Sequence, residues 1–343
     1  MERLVLWMIM LQISNDKKIK LVLKYKELDF IKENFYYIEE LKDIETVKEK
    51  DIIEFEEYIM DNNIRYITIF DKEYPKELYE DMIPPFVLFF KGNIELLNKR
   101  RLAIVGARNC SQYGIEVTKL IAREISNANI CIVSGMALGI DTIAHKESLK
   151  YSGSTIAVLG SGIDVIYPKS NKNLYYEIIE KGLVLSEFLP KETPKPYNFP
   201  RRNRIISGIS EGIIVSEASC KSGTLITVEC ALNQNRKVMV VPGSILNKKS
   251  EGCNKLIRDG AESLTDLEDL KIYFNIKNNQ KNETKINFLK NSLFKVISDE
   301  PKHLDDILSS VNVDRKVLFE LLFEMQNRNE IICLPGNYYA KSI

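Results

Sequence analysis

The sequence predicts an α/β protein built on a doubly wound, mostly parallel sheet. Three observations carry this expectation. First, six apolar runs recur through the middle of the 343-residue chain: Leu102–Gly106, Ile130–Val133, Thr155–Gly160, Gly182–Glu187, Gly212–Glu217 and Lys237–Gly243. Second, the runs are apolar at successive positions, as in strands buried on both faces, and helical stretches alternate with them. Third, nearly every run ends in Gly, Ser or Glu, and ligands bind at the carboxyl ends of the strands in such sheets.

Residues 1 to about 70 read as a small helical domain. Leu28, Ile31, Phe35, Ile38 and Leu41 recur at helical spacing with Lys and Glu between them. The apolar run Leu4–Ile13 has no small-residue cleavage site after it, so a buried first helix is expected and not a leader. Glycine is absent from residues 1–91, so the glycine hairpin of a helix-hairpin-helix DNA module is missing and a structural or interaction role is expected. Arg65–Ile69 and Phe86–Phe90 suit strands, with extended segments at Tyr74-Pro75 and Pro84-Pro85 between them.

The strand and helix units fill residues 71–270. A polar stretch rich in Asn and Lys, residues 271–287, reads as a linker. Residues 288–343 read as three helices followed by a hairpin turning at Pro335-Gly336-Asn337, the pattern of a winged helix.

Composition narrows the chemistry. Lys+Arg and Asp+Glu are both 48, so nucleic-acid binding needs a local patch and not bulk charge. The six cysteines show no C-x-x-C spacing, which points to reduced thiols in the cytoplasm and to no metal site. With only two histidines, His145 and His303, a histidine-rich mechanism is disfavoured. No run is long enough to span a membrane, and no cofactor fingerprint is complete.

Three glycine-rich loops follow the strands. Gly106-Ala107-Arg108 opens a helix and adds an arginine fork to its positive N-terminal end. Ser134-Gly135 can offer a hydroxyl and an amide to phosphate, while Asp141, after Gly139, is read as holding its own loop. His145 lies on the same helical face and is read as structural. Ser222-Gly223-Thr224 is the third loop, with small residues and hydroxyls. Between the fourth and fifth strands lies Asn198-Phe199-Pro200-Arg201-Arg202-Asn203-Arg204, directly before Ile205 and Ile206. Pro200 is expected to hold Phe199 extended, with its face open to a base. Arg202 and Arg204 are expected to hold phosphates, with Lys169 adding charge and Asn203 bracing the turn. Ile205 and Ile206 are expected in the core.

These motifs together resemble the DNA-processing protein A family (DprA, also called Smf). The resemblance runs through Ile104-Val105-Gly106-x-Arg108, Ser134-Gly135-x-Ala137-x-Gly139-Ile140-Asp141-x-x-Ala144-His145, Tyr167-Pro168, Ser186-Glu187, Phe199-Pro200-x-Arg202-Asn203-Arg204-Ile205-Ile206, Ser222-Gly223-Thr224-Leu225-Ile226-Thr227, and Gly252-x-Asn254-x-Leu256-Ile257-x-x-Gly260-Ala261. It implies an extended Rossmann-like fold, a small helical (SAM-like) N-terminal domain and no catalysis. It further implies that the chain binds and protects single-stranded DNA, loads the RecA recombinase in natural transformation, and forms a homodimer. The family's DNA pocket maps onto Arg108, Lys169, Phe199, Arg202, Asn203, Arg204, Ser222 and Gly223.

Two other classes remain open from sequence. The sheet is similar to nucleotide phosphoribohydrolases of the lysine-decarboxylase-like type, but their catalytic glutamate position is held here by Thr227. A sequence-specific winged-helix regulator is the other, although Asp305, Asp306 and Asp314 make that tail acidic as well as basic.

Overall fold

In a computed structural model of the chain, the described residues are 2–79, 81, 83–276, 289, 292–298, 300–311, 314–327 and 330–341. They form two compact units, Met1–Ile276 and Lys277–Ile343.

The first unit begins with helices α1 (Glu2–Met10), α2 (Asn15–Tyr25), α3 (Leu28–Glu33) and α4 (Glu49–Asp61). Strands β1 (Arg65–Thr68) and β2 (Val87–Gly92) follow as an antiparallel pair. Then come β3 (Arg101–Val105), α5 (Gln112–Asn127), β4 (Cys131–Ser134), α6 (Ile140–Ser148), β5 (Thr155–Val158), α7 (Lys172–Lys181) and β6 (Leu183–Ser186). The unit closes with α8 (Asn198–Gly208), β7 (Gly212–Val215), α9 (Thr224–Asn233), β8 (Lys237–Val240), α10 (Glu251–Arg258), β9 (Glu262–Ser263) and α11 (Leu267–Phe274).

The nine strands lie in the order β1-β2-β6-β5-β4-β3-β7-β8-β9. From β6 to β9 every neighbouring pair is parallel, whereas β2 runs antiparallel to β6. The sheet is therefore Rossmann-like, extended at one edge by an antiparallel pair. Alternation along β3 separates its two faces. Ala103 and Val105 enter one core with Ile178 of α7, Ile205 of α8 and Val228 of α9, while Leu102 and Ile104 enter another with Ile121 and Ile125 of α5 and Phe274 of α11. Helices thus cover both faces, as apolar strands require.

Chain order reverses at β3: β4 pairs on one side of it and β7 on the other. Adjacent loops there leave in opposite directions and open a crevice at the carboxyl ends of β3 and β7.

Three boundaries differ from expectation. The N-terminal helices share one core with the sheet, since Leu6, Trp7, Leu21, Ile31 and Leu41 join the cluster that contains Val133 and Leu185. The expected linker begins as ordered structure: α11 runs to Phe274, and Phe274 and Ile276 are buried, because an aromatic and an isoleucine outweigh the single polar residue, Asn275, between them. The rest of that stretch, 277–287, lies outside the described residues. Phe199 is helical and not extended. Pro200 falls in the first turn of α8, where an amide hydrogen would lack a helical partner anyway, so its ring costs the helix nothing there. Ile205 and Ile206, which follow in the same helix, are both buried.

The second unit contains helical residues 292–296, strand β10 (Lys302–His303), helices α12 (Leu304–Ser310) and α13 (Arg315–Asn327), and strands β11 (Ile331–Leu334) and β12 (Tyr338–Lys341). The strands lie in the order β10-β12-β11 around an antiparallel hairpin, with Gly336 and Asn337 at positive φ in its turn. Leu293, Ile297, Leu304, Leu318, Leu322 and Ile331 form its own core.

Candidate nucleic-acid interface

At the switch point β3 runs into Gly106. A Cβ there would meet Ile140 Cγ1 at 2.6 Å, so only glycine lets the loop after β3 pack against α6. The Ala107 amide donates to the Glu217 carbonyl (2.7 Å), and the Ala107 carbonyl accepts from Ile140 N (3.2 Å). Glu217 is buried beneath this loop. Its carboxylate accepts from the Ser111 amide (2.7 Å) and hydroxyl (2.6 Å), fixing the start of α5. Between these anchors Arg108 projects outward. Its guanidinium carbon stands 5.5 Å from the centre of the Phe199 ring, within the range of cation–π attraction.

The β4–α6 loop is held from inside. Asp141 Oδ2 accepts the amides of Gly135 (3.1 Å) and Ala137 (3.3 Å). Burial raises its carboxyl above the usual range, and Arg202 opposes this. His145 accepts the Met136 amide at Nε2 (3.3 Å) and meets the Thr155 hydroxyl at Nδ1 (2.7 Å). Burial pushes its pKa down to about 3, with Arg202 adding to the shift. The ring is thus a neutral brace. Ser134 is buried, and its hydroxyl donates to the Ile104 carbonyl (2.7 Å), so the phosphate role expected for it does not fit its placement.

Helix α8 carries the arginine cluster, and its members diverge. Arg202 is 4% exposed. Its Nη1 donates to the carbonyls of Gly135 and Val158, and Nε donates to Asn203 Oδ1 (3.1 Å). Burial lowers its pKa to about 10, partly offset by Asp141. Arg204 pairs with Glu187 (2.5 Å) and Asp81 (3.0 Å), with a side chain only 12% exposed. It is absent from the residues that line the crevice. Against the expectation that both arginines hold phosphates, Arg204 is spent on carboxylates away from the crevice, while Arg202 lines it but gives its Nη1 to carbonyls. Burial raises the Glu187 carboxyl, and Arg204 holds it back toward the charged form. Phe199 faces the cavity beside Tyr167, with ring centres 5.7 Å apart at 46°.

Helix α9, packed beside α8, and the loop before it supply a further wall. The Ser222 hydroxyl accepts the Thr224 amide (3.2 Å) and donates to the Thr224 hydroxyl (2.8 Å). Gly223 is open, with nothing within 4 Å of where a Cβ would stand. Together these elements enclose a crevice of about 730 Å³. Of the expected site residues it is lined by Arg108, Phe199, Arg202, Asn203, Ser222, Gly223 and Thr224, with Gly106 and Asp141 among its structural ones. Gly135 lines a smaller adjoining cavity with Arg108, Tyr167 and Phe199. Lys169 is exposed but lines neither. Sequence reasoning missed Asn109, Tyr167 and Lys249 as lining residues and Glu217 as an anchor. Tyr167 had a signal in Tyr167-Pro168, whereas Lys249 is one of two lysines in an unremarkable loop. Asp141 is the one carboxylate among the described lining residues, so the walls are net positive. No group of His, Cys, Asp or Glu among the described residues could hold a metal ion.

Fold and site together define a Rossmann-like protein with a basic, aromatic-walled crevice at its switch point. The sequence model described as DNA recombination-mediator protein A matches residues 65–275, and the chain belongs to that family. It is similar to the DNA processing protein DprA of Streptococcus pneumoniae, 46% identical over 203 residues (59% of this chain, 72% of the relative). It is also similar to that of Bacillus subtilis, 43% identical over 211 residues (61% and 71%). The crystal structure of the Streptococcus pneumoniae protein superposes with a TM-score of 0.61 at 42% identity, covering 65% of this chain and 77% of that one. DNA processing protein A of Helicobacter pylori, whose structure is described for its single-stranded DNA binding mode, gives 0.57 at 29% identity over 62% and 98%.

Proposed function

We propose that the crevice binds single-stranded DNA, with Arg108 and Lys249 on phosphates, Phe199 against a base, and the unobstructed Gly223 turn letting the strand come close to the start of α9. The observation that carries this reading is the pairing of Arg108 with Phe199. The guanidinium is exposed, has the ring as its one recorded side-chain contact among the described residues, and lines the crevice with it. Arg202 and Asn203 shape the wall from behind, and Arg204 braces α8.

In this reading the protein is a binding protein and not an enzyme. It protects strands and passes them to the RecA recombinase as a homodimer, as expected of its family, with the winged-helix-like tail in an accessory role. A nucleotide phosphoribohydrolase would need a carboxylate where Thr227 lies buried, and both amides on Asp141 are loop amides. Incubation with AMP should release no free base.

The test is a gel shift with single- and double-stranded DNA at two salt concentrations. Single strands should bind more tightly, with a slope of log K on log salt near −3 if about four phosphates are neutralised. Arg108→Ala should weaken all sequences and flatten the slope by about 0.7. Phe199→Ala should cost about 1–3 kcal/mol with little change in slope. Full affinity in both variants would place the strand elsewhere.

A further inference from the structure

We propose that the loop Ser244–Lys249 is a second contact for single-stranded nucleic acid, in which Ile245 and Leu246 wedge against unstacked bases as the strand leaves the crevice. This rests on the crevice being the single-strand site. The loop leaves β8 at the carboxyl edge of the sheet, and its base is fixed. The Asn254 side chain donates to the Gly243 carbonyl (3.0 Å) and accepts its amide (3.1 Å). The tip is also tied internally: the Leu246 amide donates to Ser244 Oγ (3.2 Å) and the Lys249 amide to Asn247 Oδ1 (3.0 Å). These bonds hold the two aliphatic side chains outward, at 87% and 91% exposure. Adjacent aliphatic residues held in water by a tied loop call for a partner with apolar faces.

Charge and continuity identify that partner as a strand. From Ser244 to Ser250 the loop carries two cations, Lys248 and Lys249, and no anion, so a polyanion suits it. Lys249 lines the crevice, and its Nζ donates to Asn109 Oδ1 (3.4 Å), another lining residue. The tip is thus three residues from the crevice wall. Unstacked bases expose apolar faces on which side chains pack in single strands, and Leu and Ile are among the apolar residues that wedge between base steps in kinked duplexes.

The experiment compares oligothymidines of about 6 and about 20 nucleotides, the shorter filling the crevice alone. Ile245→Ser/Leu246→Ser should bind the short probe as the unaltered chain does and the long probe about tenfold more weakly. Lys248→Ala should lower the salt slope for the long probe alone by about 0.7. Equal affinity of the tip variant and the unaltered chain for the long probe overturns the proposal. So does a changed oligomeric state in sedimentation without a change in DNA affinity, since the tip would then meet a second copy. If the unaltered chain binds neither probe, the crevice reading itself has failed, and this inference falls with it. The variant's thermal midpoint, read in parallel, shows whether it is folded.

Discussion

Arg202 and Arg204 stand two residues apart on α8 and serve different ends. Arg202 turns inward to the carbonyls of Gly135 and Val158, 67 and 44 residues away in sequence. Arg204 is consumed by Glu187 and Asp81. Of these three, Arg108 is the one at the surface, with Phe199 as its aromatic partner. In the sequence all three are equally basic, because burial is decided by strands far along the chain. That Phe199, Arg202 and Asn203 would come together at one crevice was legible; that Arg204 would turn away from it, and which arginine meets solvent, was not. The difference is measurable. Arg202→Ala leaves two buried carbonyls without a donor and should cost about 3 kcal/mol or more in a denaturation experiment, with binding falling alongside. Arg108→Ala should change stability by less than about 0.5 kcal/mol while weakening single-strand binding. A large loss of stability in Arg108→Ala, or none in Arg202→Ala, would reverse these roles.

At the scale of elements, strands and loops were legible because their signals are local. Unbroken apolar runs gave β3 to β8, and Gly139, at φ 74° with its Cβ position 2.3 Å from the Ala107 carbonyl, explains the glycine in its loop. Helix α8 was misjudged because a proline at its start looks the same in sequence as one that breaks a helix. Two predictions belong here. Gly160 packs on Phe199, where an added Cβ would meet the ring at 2.8 Å. Gly160→Ala should displace the ring and forfeit part of the about 1–3 kcal/mol of a stacked base, with the thermal midpoint nearly unchanged. The second concerns His145 in the β4–α6 unit. The unfolded imidazole takes up a proton near the ordinary value of 6.5, whereas the folded ring resists charging until about pH 3. Its contribution is therefore complete above 6.5 and is lost as pH falls toward 3, at about 1.4 kcal/mol per unit. Asp141 and Glu187, raised by burial, have the opposite sign and regain stability as they protonate. The acid loss should thus be compared with His145→Gln, in which this slope should vanish. An unchanged slope would assign acid sensitivity to other groups.

For the whole molecule, the order of strands was the least legible feature. A doubly wound sheet follows from alternating strands and helices, but the place where the order reverses depends on which pairs meet, and no local signal encodes that. The same holds for the N-terminal helices: amphipathic spacing foretold a buried face but not that it would lie on the sheet's own core. Asn15 reaches Glu187 (3.4 Å) and Tyr58 reaches Asp164 (2.5 Å), so this segment braces the loops after β5 and β6, near Gly160 and Phe199. The second unit differs, because residues from Leu293 to Tyr339 form a separate core, while the described residues that line the crevice all lie before position 250. A chain ending at Ile276 should therefore fold and keep its single-strand affinity within about tenfold of the full chain. Removing residues 2–61 instead would strip α1 to α4 from a core shared with β4 and β6, and should abolish cooperative unfolding and binding together. Measuring both truncations by thermal melting and gel shift checks the argument from opposite ends. Loss of affinity in the first, with its melting transition intact, would show that the second unit contributes to holding the strand.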